Sequence, residues 1–399
     1  MGIAPVLPKA VGSTEPVVSR PSDLHVRFID SIDRLLDHNA AWDDLWRRSD
    51  VANPGARSAI IGNWVKHFAP NAEFRAIVVE QEGRWVAALP LVGRRLMKLV
   101  TAGELTRNAW SATGELLLDP DVDTQRVLDR FVSGLGGIEW PLLCLDQVAI
   151  EAPRWKAFLA ALSRAELPYC VREHYRVARV DIGDDWAAYE SQLKGKHRRT
   201  RRRYARKFEQ AGEGRLRVCT EPALADLDGL LRHGFEVEDR SWKGKQGTSI
   251  LRKPGVFEYY SAEAQQLAET GELRLVFLEL DGRPIAFTYL WSSQGVVYVV
   301  KTGYDAEFAR LGPGQLMMMY LFEHLHADAT CRLLDFAGPC AHWQEPWATS
   351  TYPVGRIIAA TPHRLGREMV RIYSTWQPRL HSLEQTPAFI RKLAAKRLT

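Results

Sequence analysis

Two stretches far apart in this chain repeat one local pattern, and that repeat limits the fold more than any other feature. Gln81-Glu-Gly-Arg-Trp-Val-Ala-Ala-Leu-Pro-Leu and Glu279-Leu-Asp-Gly-Arg-Pro-Ile-Ala-Phe-Thr-Tyr each set an acid–glycine turn between two strand-forming runs. Such a turn between β-prone segments is a hairpin signal. The elements around the two hairpins follow a similar order. At 399 residues the chain exceeds one ordinary core, so two copies of one mixed α/β fold is the simplest organisation.

In the first copy, apolar residues at Ile32, Leu35, Leu36, Trp42, Leu45 and Trp46 give Ser31 to Arg48 a helical rhythm. The hairpin follows from Phe74. Helices are expected over Thr124 to Leu135 and Pro153 to Ala165, with a buried strand over Pro141 to Leu145. The second copy repeats the scheme: a strand at Leu216 to Cys219, helices over Leu224 to Val237 and Gly255 to Thr270, then the hairpin. A strand from Gly295 to Lys301, a helix from about Gln315 to Ala327 and a last strand, Leu333 to Ala337, complete it. The expected division is a disordered tail over 1–24, a first domain over 25–183, a basic connecting helix over 184–213, a second domain over 214–365 and a helical extension over 366–399.

The connecting helix is the most unusual segment. Nine of the fourteen residues from Lys194 to Lys207 are Lys or Arg, although the net charge is only +5. Asp184 or Asp185 can cap it and Gly212 can end it. Trp186, Tyr189, Leu193, Tyr204 and Phe208 fit one apolar face, leaving the arginines mainly on the rest. So dense a run repels itself and implies an anionic neighbour: nucleic acid, an anionic membrane surface or a phosphate-bearing substrate. Too few aromatic residues interleave the arginines for a base-stacking platform, and specific DNA recognition is not expected.

No apolar run is long enough to span a bilayer. The segment Met1 to Pro21 lacks the continuous apolar core of a signal peptide. Five scattered cysteines suggest buried free thiols in a reducing compartment. A cytoplasmic location, at most peripheral to the inner face of the membrane, is the expectation.

Chemistry is best sought in the strand–turn–helix from Gly295 to Ala327. A β-branched run, Val296, Val297, Val299 and Val300, leads to the turn Arg310-Leu-Gly-Pro-Gly and a helix. Glycines at 312 and 314 allow backbone N–H groups close to a ligand, and a helix N-terminus favours an anion. Arg310, Gly312, Pro313, Gly314 and Gln315 therefore form a candidate cradle for a pyrophosphate, or equally a plain glycine-containing turn. The loop from Glu236 through Trp242 and Lys243 clusters acids, an aromatic ring and bases where substrate recognition and acid–base residues commonly sit, or is a surface loop anchored by its tryptophan. Asp335 interrupts an apolar strand and either faces inward or sits at a rim. The chain has no nucleophile elbow, P-loop or dinucleotide turn. His324 and His326 face different sides of a helix, and Cys331, Cys340 and His342 lack the spacing of a zinc site; they read as structural thiols and surface imidazoles, with no metal expected.

Over about Trp186 to Trp347 the chain resembles the tandem GNAT-fold acyltransferases of the CelD-like family, which are related to FemAB-type aminoacyl transferases. The resemblance rests on the basic run from Lys194, Glu238-Asp-Arg-Ser-Trp-Lys-Gly, Gly282-Arg-Pro-Ile-Ala-Phe, Lys301-Thr-Gly-Tyr-Asp, Leu311-Gly-Pro-Gly and Asp335-Phe-Ala-Gly. Residues 25–180 look like a degenerate first copy. The resemblance implies two tandem GNAT-like α/β domains with mixed, mostly antiparallel sheets flanked by helices, the second holding the donor. The superfamily loop reads Gln/Arg-x-x-Gly-x-Gly/Ala, and Arg310 stands one residue too close to Gly312 for it, which moves the expected phosphate contact from that side chain to the glycine backbone.

The implied activity is acyl transfer from acetyl-CoA or a longer acyl-CoA to an amine- or hydroxyl-bearing acceptor. Backbone N–H groups near Val299 and Val300 are candidate oxyanion donors, Glu238 and Asp335 candidate bases, and Tyr304 a candidate acid to the leaving thiolate. Trp242, Lys243 and Lys301 are candidate substrate contacts. An aminoacyl-tRNA-dependent transferase and a non-enzymatic scaffold binding anions through the basic helix are the alternatives.

Overall fold

A computed structural model describes residues 23–96, 100–220 and 224–384. The expected tail before Asp23 and the end of the C-terminal extension lie outside the described residues. In chain order the first half contains β1 (Leu24–Ile29), α1 (Ile32–Asp37), α2 (Asn39–Arg48), α3 (Ser58–Phe68), β2 (Phe74–Gln81), β3 (Arg84–Leu96), β4 (Val100–Glu104), β5 (Leu117–Leu118), α4 (Thr124–Gly134), β6 (Leu142–Val148), α5 (Pro153–Arg164) and β7 (Tyr169–Asp181). Helices α6 (Trp186–Gln192) and α7 (Gly195–Ala211) connect it to the second. There follow β8 (Gly214–Cys219), α8 (Leu227–Asp239), α9 (Trp242–Lys245), α10 (Val256–Glu269), β9 (Leu273–Leu280), β10 (Arg283–Ser293), β11 (Val296–Tyr304), α11 (Pro313–His326), β12 (Leu333–Pro339), β13 (Ser350–Ala360) and α12 (Arg364–Glu384).

The two glycine turns form the hairpins β2–β3 and β9–β10, with Glu82 and Asp281 at φ 53° and 50° ahead of Gly83 and Gly282 at 79° and 76°. Successive positive φ angles twist a two-residue turn to match its strands. Around them the strands join, among the described residues, in one 13-stranded sheet ordered β1-β2-β3-β4-β6-β13-β7-β12-β11-β10-β9-β8, with β5 paired to β3. That order is symmetric about its centre. Antiparallel β1 to β4 lead to a parallel β4–β6 pair, as antiparallel β8 to β11 lead to a parallel β11–β12 pair. The halves exchange their last strands: β7 lies against β12, and β13 lies against β6. The fold is thus mixed α/β with two tandem GNAT-like halves.

One face of the sheet carries a core shared by both halves, in which Trp42, Ile61 and Trp64 pack with Phe235, Tyr259, Tyr260 and Phe277, and a smaller cluster around Leu142, Cys144 and Val370. Hydrogen bonds cross the same junction, from the Asn63 side chain to the Tyr259 carbonyl and from the Tyr260 hydroxyl to the Trp110 carbonyl. The opposite face carries two separate cores, one under α4 and α5 and one under α11 with α6 and α7.

Several expectations needed revision. The rhythm over Ser31 to Arg48 is two helices, broken at His38 (φ −106°, ψ 19°). The basic segment is also two, because Leu193 and Lys194 are both extended (ψ 143° and 134°). Its arginines are not all on the outer surface: Arg201 is 1% exposed, and its guanidinium lies over the rings of Trp347 and Trp186. His326 is buried rather than a surface imidazole, its ring at 2.7 Å from the Phe322 carbonyl and packed beside Trp186 and Tyr189. Leu333 to Ala337 is not the last strand. β13 follows it, and its pairing partners, like those of β7, come from distant sequence that local periodicity does not reveal.

Exchanged strands and a shared core make each half dependent on the other. Expressed alone, residues 214–365 should lack a cooperative thermal transition by circular dichroism, whereas the whole chain should unfold in one; independent cooperative folding of that fragment would contradict the shared core.

Candidate active site

The site begins where two parallel strands part. β11 and β12 pair through Val296↔Leu333, Val297↔Leu334 and Tyr298↔Asp335, and their register ends there. From Val299 to Tyr304 the strand has a partner only on its β10 edge. A bulge at the same level, where Tyr289 opposes Lys301 and Leu290 opposes Val299, leaves Val300 without an opposing residue. Val297 and Val299 face the α11 core, while Tyr298 and Val300 pack against the shared core. The unpaired edge is where backbone N–H groups near Val299 and Val300 could meet a ligand.

A built turn aims the next helix at this gap. Asp305, buried at 2% exposure, accepts from the Glu307 amide and from Arg240 and Arg283 at 2.7 and 2.9 Å. The chain then makes one 3-10 segment, Ala306–Leu311, and reverses at Gly312, whose φ of 67° favours glycine. A Cβ there would lie 2.8 Å from the Tyr204 ring. Pro313 opens α11 at its first position, as its ring prefers, so the helix starts two residues earlier than expected. No side chain caps it; the Gln315 and Leu316 amides donate to the Gly312 carbonyl at 3.0 and 3.1 Å, leaving the Gly314 amide and the positive dipole end available.

In front of this helix end lies a cavity of about 390 Å³ bounded by α9, the end of β11, the turn and Trp343. Of the residues singled out in the sequence, Trp242, Lys243, Tyr304, Gly312, Pro313, Gly314 and Gln315 line it. A Cβ on Gly314 would meet only the Tyr304 ring, at 3.6 Å, so that glycine borders open space. Trp242 is 55% exposed and stands over the mouth, not anchored in the fold as a surface-loop reading requires. Arg310 is exposed and does not border the cavity.

The remaining candidates lie elsewhere. Glu238 is buried against β11, accepting from Lys243 at 2.7 Å and from the Ile250 amide at 3.1 Å; Lys243 also donates to the Thr302 carbonyl at 2.8 Å. Gly303 permits this approach, since a Cβ there would fall 2.7 Å from the Glu238 Cα. Asp335 is fully buried and accepts from Arg179 (2.9 Å), the Ala337 amide (2.7 Å) and the Tyr352 hydroxyl (3.3 Å). It borders a second cavity, not the one at α11. Lys301 is partly buried, its ammonium 5.6 and 5.7 Å from the ring centres of Trp110 and Tyr260, with no hydrogen bond or ion pair among the described residues. Burial, then the charge of Lys243, pushes it down to about 8.

Sequence reasoning missed Asp305, Ser241, Met318 and Trp343. Asp305 carried a usable signal, because Asp two residues before an acid, ahead of a turn, is a capping pattern. Trp343 carried none; it reaches the cavity through tertiary folding alone. In the first half the equivalent helix, α4, has its end closed by Asp123, whose side chain accepts from the Arg126 amide at 3.1 Å.

The basic helix adjoins the Gly312 turn through Tyr204 and packs on α11. Lys194, Lys196, Arg199, Arg202, Arg203, Arg206 and Lys207 are exposed, and none has a carboxylate partner among the described residues. Among those residues no helix is long and apolar enough to cross a membrane, and no group of His, Cys, Asp and Glu could hold a metal ion.

Residues 195–345 match the family described as an acetyltransferase (GNAT) domain. No curated protein matches the chain. Among solved structures it is similar to FemX, at 12% identity and a TM-score of 0.56, covering 80% of this chain and 95% of that one. It is also similar to a conserved protein of unknown function from Bacteroides thetaiotaomicron, at 12% identity and a TM-score of 0.53, covering 84% and 100%. The uncapped helix, the parted strands and the GNAT domain spanning them define the class: the chain is an acyltransferase.

Two substitutions test the local physics. Gly312→Ala should destabilise the chain by about 1–2 kcal/mol from the left-handed backbone alone, with more from the Tyr204 contact, read as a lowered urea midpoint. Arg201→Met should be neutral or stabilising by about 1–3 kcal/mol, because the guanidinium is buried with two nitrogens unpartnered and only Glu190 at 3.5 Å. A clear loss of stability in Arg201→Met would reveal a stronger pairing.

Proposed function

We propose that the chain transfers an acyl group from a CoA-type thioester to an amine, with the donor in the cavity before α11. The observation that carries this reading is the coincidence of three features at one cavity: an uncapped helix start, a glycine bordering open space and an unpaired strand edge leading away from them. The donor's pyrophosphate would accept from the backbone amide of Gly314 and face the positive end of the helix. Its pantetheine arm would run along β11, hydrogen-bonding the free edge, so that the thioester oxygen comes within reach of the amides at Val299 and Val300.

The amine nitrogen attacks the thioester carbonyl carbon from the shared-core face. A C–N bond forms, the C–S bond breaks, and the amine gives up one proton. Both oxygens of Glu238 and of Asp335 are already engaged, so we assign them to orienting Lys243 and Arg179. Lys301 is the proton acceptor in this reading: it has no partner to relinquish, and a fraction is neutral at mildly alkaline pH. Tyr304, on the donor cavity, would protonate the departing sulfur. The CelD-like resemblance bears on the acyl-transfer class and not on Lys301 as the base; in this reading the enzyme would work at the cytoplasmic face on an envelope or polysaccharide precursor. Acetyl or a longer acyl group would fit.

A second reading, an aminoacyl-tRNA donor, is favoured by one observation: the exposed, unpaired cations lie on α7, whose Tyr204 ring packs against the Gly312 turn. Their exposed face lacks large apolar side chains, which suits a soluble polyanion better than a bilayer.

Calorimetry with acetyl-CoA and longer acyl-CoAs should give saturable binding, and Gly314→Trp should weaken it at least tenfold while leaving thermal stability near that of the wild type. Absence of acyl-CoA binding together with salt-dependent retention on tRNA would replace the first reading by the second. Turnover should rise with pH through about 8 and then level, following neutral Lys301. In Lys301→Met it should drop at least a hundredfold and lose that inflection; an unchanged profile would remove Lys301 from the mechanism. Stability provides an independent readout. The depressed lysine binds fewer protons than its unfolded counterpart between about 8 and 10.5, so wild-type stability should rise with pH across that window and the Met variant's should not.

A further inference from the structure

The second cavity, about 150 Å³, lies at the centre of the sheet, where the exchanged strands of the two halves meet. Tyr298 and Asp335, which form the last rung before β11 and β12 part, both border it. Because Tyr298 packs on the shared-core side, this cavity opens on the sheet face opposite α11. Acceptor and donor would therefore approach the parted strands from opposite faces.

The polar groups around it are unequal. The guanidinium of Arg107 is occupied by the carbonyls of Thr113, Gly114 and Gln147. Arg154 reaches Asp50 and Glu115, but its Nε is buried without a partner. Arg179 uses only Nε, toward Asp335. Its plane is held 3.9 Å from the ring centre of Tyr352, and its two terminal nitrogens have no partner among the described residues. The hydroxyls of Tyr175 and Tyr298 also have none. Burial pushes both phenols up, that of Tyr298 further through the nearby Asp335 charge, so they remain donors across the physiological range. Arg154, Arg179, Tyr175 and Tyr298 thus bring donors without acceptors to the border of one small space, which Asp50, Glu115 and Asp335 also line, their charges met by Arg154 and Arg179; a planar anion would satisfy the remaining donors. A pre-oriented guanidinium fork with adjacent hydroxyls matches a carboxylate.

We infer that this cavity holds a carboxylate of the acceptor, bound by the terminal nitrogens of Arg179 and the hydroxyl of Tyr298, so that the acceptor is an amine that also bears a carboxylate. The inference rests on the acyl-transfer reading for the word acceptor, but not for the binding itself. The class would be amino acids, amino-acid-terminated peptides or acidic amino sugars. Arg179 is braced in three ways, by Asp335, by the Tyr352 ring and by its place on β7 between β12 and β13. The strand exchange therefore supplies the second half with a recognition residue from the first.

The test is calorimetry without donor, using glycine, β-alanine, 4-aminobutyrate, glutamate and glycylglycine, each against its amide. At least one acid should bind tenfold or more tightly than its amide. Tyr298→Phe, which removes a hydroxyl lacking a partner and so should fold normally, should reduce that ratio several-fold; Arg179→Met should abolish it. Equal binding of acids and amides, no measurable binding of any acid, or a ratio that survives both substitutions would overturn the inference. Acyl-CoA titration of the same proteins separates the two ideas. Acyl-CoA binding without an acid preference leaves the donor reading standing and removes this one, and the reverse result does the opposite.

Discussion

The site depends on a parallel strand pair that lasts only three rungs. Parting two strands in mid-sheet exposes backbone donors and acceptors, which is costly unless something else satisfies them. Here β12 is held on its other edge by β7, with Leu333, Leu334 and Asp335 opposite Asp181, Val180 and Arg179. After an irregularity past Asp335 the pairing with β7 resumes at Pro339, opposite Val177, so β12 keeps a neighbour on that edge when it leaves β11. The unpaired edge of β11 then faces the gap that the proposed donor would fill. Exchange of the last strands is thus more than a way of joining two halves; it stabilises the opening around which the proposed chemistry is arranged.

The two faces of the sheet divide the electrostatics. Beneath the parted strands on the α11 side there is a helix dipole, an exposed cationic helix and apolar packing, all favourable to an anionic donor. On the shared-core side the carboxylates are buried and each is partnered: Glu238 with Lys243, Asp335 with Arg179, and Glu263 receiving Tyr289 and Trp291 at 2.9 and 3.2 Å. Burial pushes the Glu263 carboxyl up, so part of this network tends toward neutrality. Lys301 stands out there because neighbouring rings surround it where a carboxylate would otherwise be expected.

Local chemistry carried much of this in the sequence. Both hairpin turns, the β-branched strand and the glycine turn before α11 are written in residues close together, and each lies where its pattern indicated. The helix over 255–270 and the strand at 273–280 were equally legible. Pairings between distant segments were not. Nothing near Arg179 announces that it will meet Asp335, and the alternating charges of Cys170 to Asp181 do not say which strand they will join. Helix breaks at His38 and at Leu193–Lys194 were hidden because the apolar spacing runs on across them. Arg201 was hidden for the opposite reason: within a run of arginines, only tertiary packing on Trp347 marks one as interior.

The capped start of α4 has a consequence of its own. Asp123 already holds the amide that an incoming phosphate would seek, and its negative charge would repel one. The corresponding position in the second half is Gly312, which has no side chain to do either. In the proposed reading the duplicated architecture is thus single-sited: one equivalent of donor per polypeptide, no intramolecular competition between halves, and saturation curves without cooperativity arising within one chain. The first half contributes partner strands, half of a common core and, through β7, the arginine that reaches across to Asp335.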